Sequence, residues 1–203
     1  MARVPTKYYD AREYLALERS REFKSEFFRG EMFAMAGASE SQNPVALNIA
    51  AELRNALKDG DCRVYPSDMR VKLPTGLYTY PDVTVVCDEP RFEDEHRDTL
   101  LNPLIIFEVL SPTTEAYDRG KKFEHYRSIS SLREYVLVAQ DHVLVEHHAR
   151  QSALGQWLLT AVPSLDAAVE LPSLRCRLSL REIYAKVTLE SPAPADALKS
   201  SPS

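Results

Sequence analysis

The chain has 203 residues, which is enough for one domain with a substantial hydrophobic core. Its net charge of −5 argues against broad nonspecific affinity for nucleic acid, which depends on clustered Lys and Arg, but it leaves room for a local basic patch. The composition, 44% hydrophobic and 27% charged, is that of an ordinary globular protein, and no apolar run approaches the roughly 18 to 20 residues that span a bilayer.

The N-terminal residues and the cysteines favour a cytoplasmic protein. Residues 1–7 lack the apolar segment of a secretory signal. The three cysteines, Cys62, Cys87 and Cys176, lie far apart and form neither a CxxC pair nor a zinc-binding spacing. We therefore expect three reduced thiols.

The first third of the chain predicts a helix, a hairpin and a second helix. Residues 7–19 predict a helix that Asp10 caps. Residues 23–35 alternate between apolar and polar around a central glycine, which predicts a β-hairpin. Residues 41–58 have apolar side chains at helical spacing, Leu47 among them, and predict a helix.

Short strands dominate the middle of the chain. Four segments predict strands: 62–65, 69–73, 83–86 and 104–110. Residues 88–98 are charged and contain a proline, which predicts a loop, and residues 114–128 predict a helix.

The last third of the chain predicts further strands and a closing helix. Three segments predict strands: 135–139, 142–148 and 156–162. Residues 180–187 predict the helix, and residues 191–203, rich in Ser, Pro and Ala, predict a disordered tail after a single domain of residues 1–190. Together the elements predict an α/β or α+β fold in which helices flank a mixed sheet.

Glu108 is the most informative residue, because it stands alone inside the apolar run from Leu104 to Leu110. A run of this kind is typical of a strand buried on both faces. A carboxylate in that position loses its hydration and costs several kcal/mol unless a partner compensates, and a metal ion is one such partner.

A second acid and a lysine have matching positions. Asp82 begins the apolar strand Val83 to Val86, and pairing of the two strands in the right register would bring its carboxylate to that of Glu108. Lys122 follows on the predicted helix, in line with Asp118 and with either His125 or Tyr126, whereas Lys121 points about 100° away. Two carboxylates suit magnesium, which prefers oxygen ligands and keeps several waters, and the lysine supplies a nearby positive charge.

Several segments of the chain resemble the Uma2 family of restriction endonuclease-like proteins. The resemblance is carried by four segments: Ser25 to Ser39, Tyr80-Pro81-Asp82-Val83, Glu108 to Thr114, and Tyr117 to Tyr126. It covers roughly residues 7–157 and implies a PD-(D/E)XK nuclease fold. In that superfamily an Asp and a Glu on adjacent strands hold magnesium and a Lys assists, which here implies Asp82, Glu108 and Lys122, with manganese as a possible substitute ion. Glu26 resembles the extra acid that completes many such sites.

Two positions depart from the pattern that the resemblance implies. The E-x-K motif would have its lysine at position 110, where this chain has Leu110; the family shares this absence, and its lysine corresponds to Lys122. Relatives often have His-Asn where this chain has Gln42-Asn43, so a substrate contact made by that histidine would be lost here.

The resemblance implies a magnesium-dependent endonuclease that hydrolyses DNA, and two other hypotheses stay open. One is a non-catalytic module on the same fold that binds nucleic acid or protein, which the acidic net charge, Leu110 and Gln42 favour modestly. The other is a glycosidase using Asp82 and Glu108 as an acid pair, which the single tryptophan disfavours. A homodimer is compatible with the nuclease hypothesis because it would read two half-sites.

Three other polar residues are expected to be structural. Ser111 precedes the predicted helix and is interpreted as a cap or turn residue. His147 and His148 would point to opposite sides of a strand, so they cannot share a metal ion, and a surface position is predicted for them.

Overall fold

The computed structural model describes residues 7–151 and 155–189. In chain order its elements are α1 (Ala11–Ser20), β1 (Ser25–Phe28), β2 (Glu31–Ala34), α2 (Gln42–Ala56), β3 (Arg63–Pro66), β4 (Arg70–Lys72), β5 (Tyr78–Thr79), β6 (Val83–Val86), β7 (Thr99–Leu100), β8 (Ile105–Leu110), α3 (Glu115–Tyr117), a π-helical segment (Asp118–Lys122), α4 (Phe123–Tyr126), β9 (Glu134–Ala139), β10 (Val145–Arg150), β11 (Trp157–Val162), β12 (Ala168–Leu171), β13 (Cys176–Ser179) and α5 (Leu180–Ile183).

Two mixed sheets and a hairpin make up the β-structure of the described residues. The larger sheet has the order β11-β10-β9-β8-β6-β3, with β8 and β9 parallel and the other neighbours antiparallel. The smaller sheet has the order β2-β1-β5-β4-β7, and β12 pairs with β13. The predicted mixed sheet flanked by helices is confirmed. No helix in the described ranges is long and apolar enough to cross a membrane.

Strand β8 lies in the middle of the larger sheet and is buried along its whole length. Ile105, Phe107 and Val109 belong to the core cluster that also contains the buried side chains of α2. Ile106 and Leu110 belong to the cluster on the opposite face. Because side chains alternate along a strand, Glu108 lies on the face of Ile106 and Leu110, as the sequence predicted.

The predicted first helix, hairpin and second helix are confirmed, although Leu47 on the second helix is exposed. Asp10 caps α1 in a capping box with Glu13, and the hairpin turns at Arg29 and Gly30, which both have positive φ. In α2 the buried residues include Ile49, whereas Leu47 is 69% exposed. The apolar residues of α2 extend beyond one face of the helix, so helical spacing alone did not show which of them are buried.

The remaining elements differ from prediction where they are short. The predicted helix over 114–128 is divided by the π-helical segment, and the closing helix ends at Ile183 rather than at Val187. Strands β5, β7, β12 and β13 were not predicted; β5 and β7 have only two residues each, too few to show a period of two. The predicted disordered tail, residues 191–203, lies outside the described residues.

The prediction of three reduced thiols is wrong for two of them. Strands β3 and β6 are antiparallel, with Arg63 opposite Val86, so Cys62 and Cys87 face each other at the next position. They form a disulfide, and Cys176 is free. Sequence spacing did not reveal this pair because only strand register brings the two residues together.

A thiol count tests this disulfide. We expect one reactive thiol per chain in denaturant without reductant and three after reduction. Because the bond links residues 25 positions apart, replacing both Cys62 and Cys87 with alanine should lower the free energy of unfolding by about 3 kcal/mol. Cys176→Ala should leave the bond intact as a control, and three reactive thiols in the unreduced protein would contradict the assignment.

Candidate active site

A pocket of about 490 Å³ opens between the β2 end of the first hairpin and the loop that follows β8. All four residues proposed from the sequence, Glu26, Asp82, Glu108 and Lys122, line it together with Asp118. Four carboxylates and one ammonium group therefore share a single cavity. Among the described residues lining the pocket, no other side chain is charged.

Strand register brings Asp82 and Glu108 together. Val83 pairs with Phe107 in the antiparallel β6–β8 ladder, so Asp82 lies across from Glu108 at the next position. The main-chain N–H of Val109 donates a hydrogen bond of 2.7 Å to Asp82 Oδ2. This bond attaches the carboxylate of one strand to the backbone of the other.

The ammonium group of Lys122 lies among three carboxylates. Its Nζ is 2.8 Å from Glu108 Oε1, 3.3 Å from Asp118 Oδ1 and 3.7 Å from Glu26 Oε1. Lys122 is only 6% exposed, whereas Lys121 is exposed, as predicted. Lys122 is therefore the cation that compensates the buried acids.

The π-helical segment from Asp118 to Lys122 forms the helical side of this cluster. Segments of this type are rare and often occur at functional sites. Both end residues, Asp118 and Lys122, are buried. Asp118 Oδ1 is buried and accepts no hydrogen bond within the described part of the chain, so its compensation comes from the charge of Lys122.

Two further side chains orient the paired carboxylates. Tyr126 is fully buried and donates a hydrogen bond of 2.6 Å to Glu108 Oε1. Gln42, at the start of α2, donates to Asp82 Oδ1 at 3.1 Å. His125 instead lies 2.9 Å from Thr75 Oγ1, so Tyr126 is the residue of the predicted alternatives that reaches the site.

Electrostatics at the site reflect an excess of negative charge. Burial raises the pKa of Glu108 to about 8; Lys122 opposes this shift, and Asp118 and Asp82 reinforce it. Burial likewise raises the pKa of Asp82, against the opposing effect of the Val109 N–H. Burial alone would lower the pKa of Lys122, but the carboxylates of Glu108, Asp118 and Glu26 together hold it well above its usual range. Lys122 therefore stays charged, and Glu108 retains a proton near neutral pH.

The donor set fits a magnesium ion held by two carboxylates. The described residues contain no group of three or more His, Cys, Asp or Glu side chains arranged for a metal. Magnesium usually takes only one or two protein carboxylates and keeps several waters. Glu108 Oε1 accepts from Lys122 and Tyr126, whereas Oε2 has no hydrogen bond from the described residues. Both oxygens of Asp82 accept hydrogen bonds, from Gln42 and from the Val109 N–H, so a cation would share Asp82 with these donors and would have Glu108 Oε2 without a competing donor.

Sequence reasoning underestimated several residues of the site. Asp118 was expected only to lie in line with Lys122 on the helix, and Tyr126 was one of two alternatives. The four-residue spacing from Asp118 through Lys122 to Tyr126 was a usable signal, because it places three polar groups on one helical face. Position 42 was singled out only through the resemblance, as the place of a histidine that this chain lacks, and the contact of Gln42 with Asp82 was not predicted.

Two other predictions concern Ser111, which lines the pocket without joining the charged cluster, and His147, which does not line it. Ser111 Oγ accepts a hydrogen bond of 3.2 Å from the Thr114 N–H, which confirms a turn role. The predicted surface position of His147 is wrong: it is buried, with Nε2 2.6 Å from Glu134 Oε2. Glu134 also accepts from the Ser173 N–H at 2.8 Å, so the segment joining β12 to β13 helps to enclose this pair.

Known proteins similar to this chain match most of its length. The model of the Uma2 family, described as "Putative restriction endonuclease", matches residues 11–182. Two proteins of Synechocystis sp., named "Uncharacterized protein sll1609" and "Uncharacterized protein slr1290", are 36% and 35% identical to this chain. They match 86% and 85% of it, and 99% and 89% of their own lengths.

A solved structure shares the fold. It is titled as a "putative nuclease belonging to DUF820" from Anabaena variabilis and superposes with a TM-score of 0.67 at 19% identity. The match covers 85% of this chain and 96% of that one. At this level of identity the likeness shows the fold alone.

Replacement of Lys122 tests whether its charge holds the cluster together. Lys122→Met leaves buried carboxylates without a cation, so we expect the free energy of unfolding to fall by about 3 to 5 kcal/mol at pH 8. The loss should be smaller at pH 5, because protonated carboxyl groups cost less to bury. A carboxyl group whose pKa is higher in the folded than in the unfolded protein favours folding at low pH. This contribution to stability is lost as the pH rises toward the pKa of the folded protein.

Chemical denaturation at several pH values measures this effect, and Lys121→Met is the matched control. Lys121 is exposed, so its replacement should leave the free energy of unfolding nearly unchanged. Equal costs for the two variants, or a Lys122→Met cost independent of pH, would show that the lysine does not compensate the buried acids.

Proposed function

This chain belongs to the Uma2 family, and we propose that it is a magnesium-dependent endonuclease that hydrolyses phosphodiester bonds of DNA. The observation that carries the proposal is the position of the buried Glu108 beside the half-buried Asp82, with Lys122 in contact with Glu108, in one open pocket. Nothing in the packing of the sheet requires two adjacent acids here, and withdrawing them from water costs free energy. A catalytic role accounts for their presence.

The proposed reaction assigns distinct roles to the side chains of the pocket. Hydrolysis forms a P–O bond from water and breaks the P–O bond to the leaving hydroxyl, which takes up a proton. Asp82 and Glu108 would hold a magnesium ion, which would supply Lewis acidity toward a phosphate oxygen and lower the pKa of a water. Lys122 adds a fixed positive charge near the negative charge that develops on the phosphate. Manganese, which also favours oxygen ligands, is the substitute ion.

Glu26 is proposed as the extra acid of the site. Its side chain is 15% exposed and lines the pocket, and its Oε1 accepts a hydrogen bond from Thr79 Oγ1. It lies 3.7 Å from Lys122 Nζ. In this position Glu26 attracts the ammonium group of Lys122 from the pocket and can orient a water.

DNA is the proposed partner, and a homodimer is the assembly that would let one such domain read two half-sites. A DNA substrate implies a cytoplasmic location, where cysteines are usually reduced. The thiol count that tests the Cys62–Cys87 bond therefore bears on location as well.

A non-catalytic binding module is the second candidate function. The absence of a three-residue metal group among the described residues favours it, as does the direct pairing of Lys122 with Glu108. Fold alone does not decide between the two candidates. Metal-dependent turnover of any nucleic acid would exclude the second.

Metal titration and cleavage assays test the proposed function. Calorimetry should show about one magnesium ion per wild-type chain and none for Glu108→Gln or Asp82→Asn, which keep side-chain size but remove the charge. Both variants should lose at least about 100-fold in DNA cleavage. Glu124→Gln, at an exposed position on α4, is the control and should behave as wild type. Cleavage that persists in both site variants would refute the proposal.

The raised pKa of Glu108 predicts a pH-dependent metal affinity. With a pKa of about 8 the carboxyl group is protonated at lower pH and must release that proton before it binds a cation. The apparent magnesium affinity should therefore rise by up to tenfold per pH unit between pH 6 and 8 and level off above. Titrations in buffers of different ionisation enthalpy should show release of about one proton at pH 7. An affinity that is flat over this range would contradict the role of Glu108.

A further inference from the structure

Two exposed aromatic side chains lie at the mouth of the pocket. Phe33 on β2 is 48% exposed, and Tyr117 at the end of α3 is 37% exposed. Both line the cavity, and neither belongs to the buried core clusters. Packing of the core therefore does not account for either ring.

The two rings lie close to the proposed catalytic acids. Phe33 is directly opposite Glu26 in the β1–β2 ladder, so the two side chains project from the same face of the hairpin. Tyr117 precedes Asp118 in the chain, and burial together with the charge of Glu26 raises its pKa to about 12. Both aromatic side chains thus line the pocket near Glu26.

The charges of the pocket do not suit the backbone of duplex DNA. Proteins that bind duplexes gain most of their affinity by neutralising phosphates with several Lys and Arg side chains. Here the described lining residues contain one cation, Lys122, which is already in contact with Glu108 and Asp118. Affinity for a nucleic acid must therefore come largely from another interaction.

Proteins that bind single strands gain such affinity by stacking the bases on aromatic rings. Stacking contributes about 1 to 3 kcal/mol per base and needs no particular sequence, because every base has a flat face. A base inside a duplex is not available for it, since both of its faces are covered by neighbouring bases. A base can enter a pocket only when it is unpaired or extruded from the helix.

We infer that the substrate is nucleic acid with unpaired nucleotides at the cleavage position, whose bases stack on Phe33 and Tyr117 while the adjacent phosphate faces Asp82 and Glu108. This inference rests on the proposed function and narrows its substrate from DNA in general to single strands, flaps and strand ends. The pocket volume of about 490 Å³ agrees with it, because cavities of about 300 to 1,000 Å³ hold small ligands rather than a double helix.

Fluorescence anisotropy with a labelled oligonucleotide tests the inference independently of cleavage. The strand is measured alone and in a duplex of the same sequence, in EDTA, which prevents metal-dependent cleavage, and in magnesium over times for which a gel shows the strand to be intact. We expect at least tenfold tighter binding of the single strand. The logarithm of its affinity should fall with that of salt concentration with a slope below about 2, because few phosphates are neutralised.

Substitutions at the two rings give the second part of the test. Phe33→Ala and Tyr117→Ala should each weaken single-strand binding by about 5- to 100-fold, the range of one lost stacking contact. Tyr117→Phe keeps the ring and should bind as wild type. Leu158→Ala removes a side chain that is 55% exposed but does not line the pocket, and it should have no effect.

The possible outcomes separate this inference from the proposed function. Equal or tighter binding of the duplex, no binding of either form, or ring variants that match Leu158→Ala would overturn the inference even if metal-dependent cleavage occurs. Single-strand binding that needs both rings, without cleavage of any nucleic acid, would support the aromatic site. It would also refute the nuclease proposal in favour of a single-strand binding module.

Discussion

The arrangement of the pocket depends on one buried positive charge. Lys122 is in contact with Glu108 and Asp118 and lies near Glu26, and all of these groups are withdrawn from water to a large extent. At separations of 3 to 4 Å in a partly dry environment, each such attraction is worth several times its value in bulk water. Without the lysine, the same carboxylates would repel one another with little solvent to screen them.

Local backbone features direct each charged group toward this centre. The β6–β8 register brings Asp82 opposite Glu108, and the Val109 N–H fixes the aspartate. Asp118 and Lys122, at the two ends of the π-helical segment, are both buried. Four residues after Lys122, on α4, Tyr126 donates a hydrogen bond to Glu108. Burial and the charge of Glu108 hold the pKa of Tyr126 well above its usual range, so the phenol keeps the proton that it donates. The paired carboxylates are thus held by hydrogen bonds from the β8 backbone, from Tyr126 on α4 and from Gln42 on α2.

The sequence predicted the parts of this site that follow from simple periodicity. Glu108 stood out because an acid inside an apolar strand loses its hydration and needs a compensating partner. The face on which it lies followed from the alternation of side chains along β8. What the sequence could not predict depends on contacts between distant segments. The Cys62–Cys87 bond needs the β3–β6 register, and the burial of His147 needs Glu134 and the segment containing Ser173. A helix pattern likewise gives no indication that one turn is widened into a π-helical segment.

The charge balance of the pocket explains why its parts are useful together. With every acid ionised, four carboxylates and one ammonium leave a net charge of −3, and the proton on Glu108 reduces this at neutral pH. A divalent cation in exchange for that proton would bring the pocket close to neutrality, and a phosphate could then approach without strong repulsion. The empty pocket would repel a polyanion, so binding of nucleic acid should depend on the metal for its phosphate and on Phe33 and Tyr117 for its base. Because the pocket has so little positive charge of its own, nucleic acid should bind preferentially to the metal-bound protein and through unpaired bases.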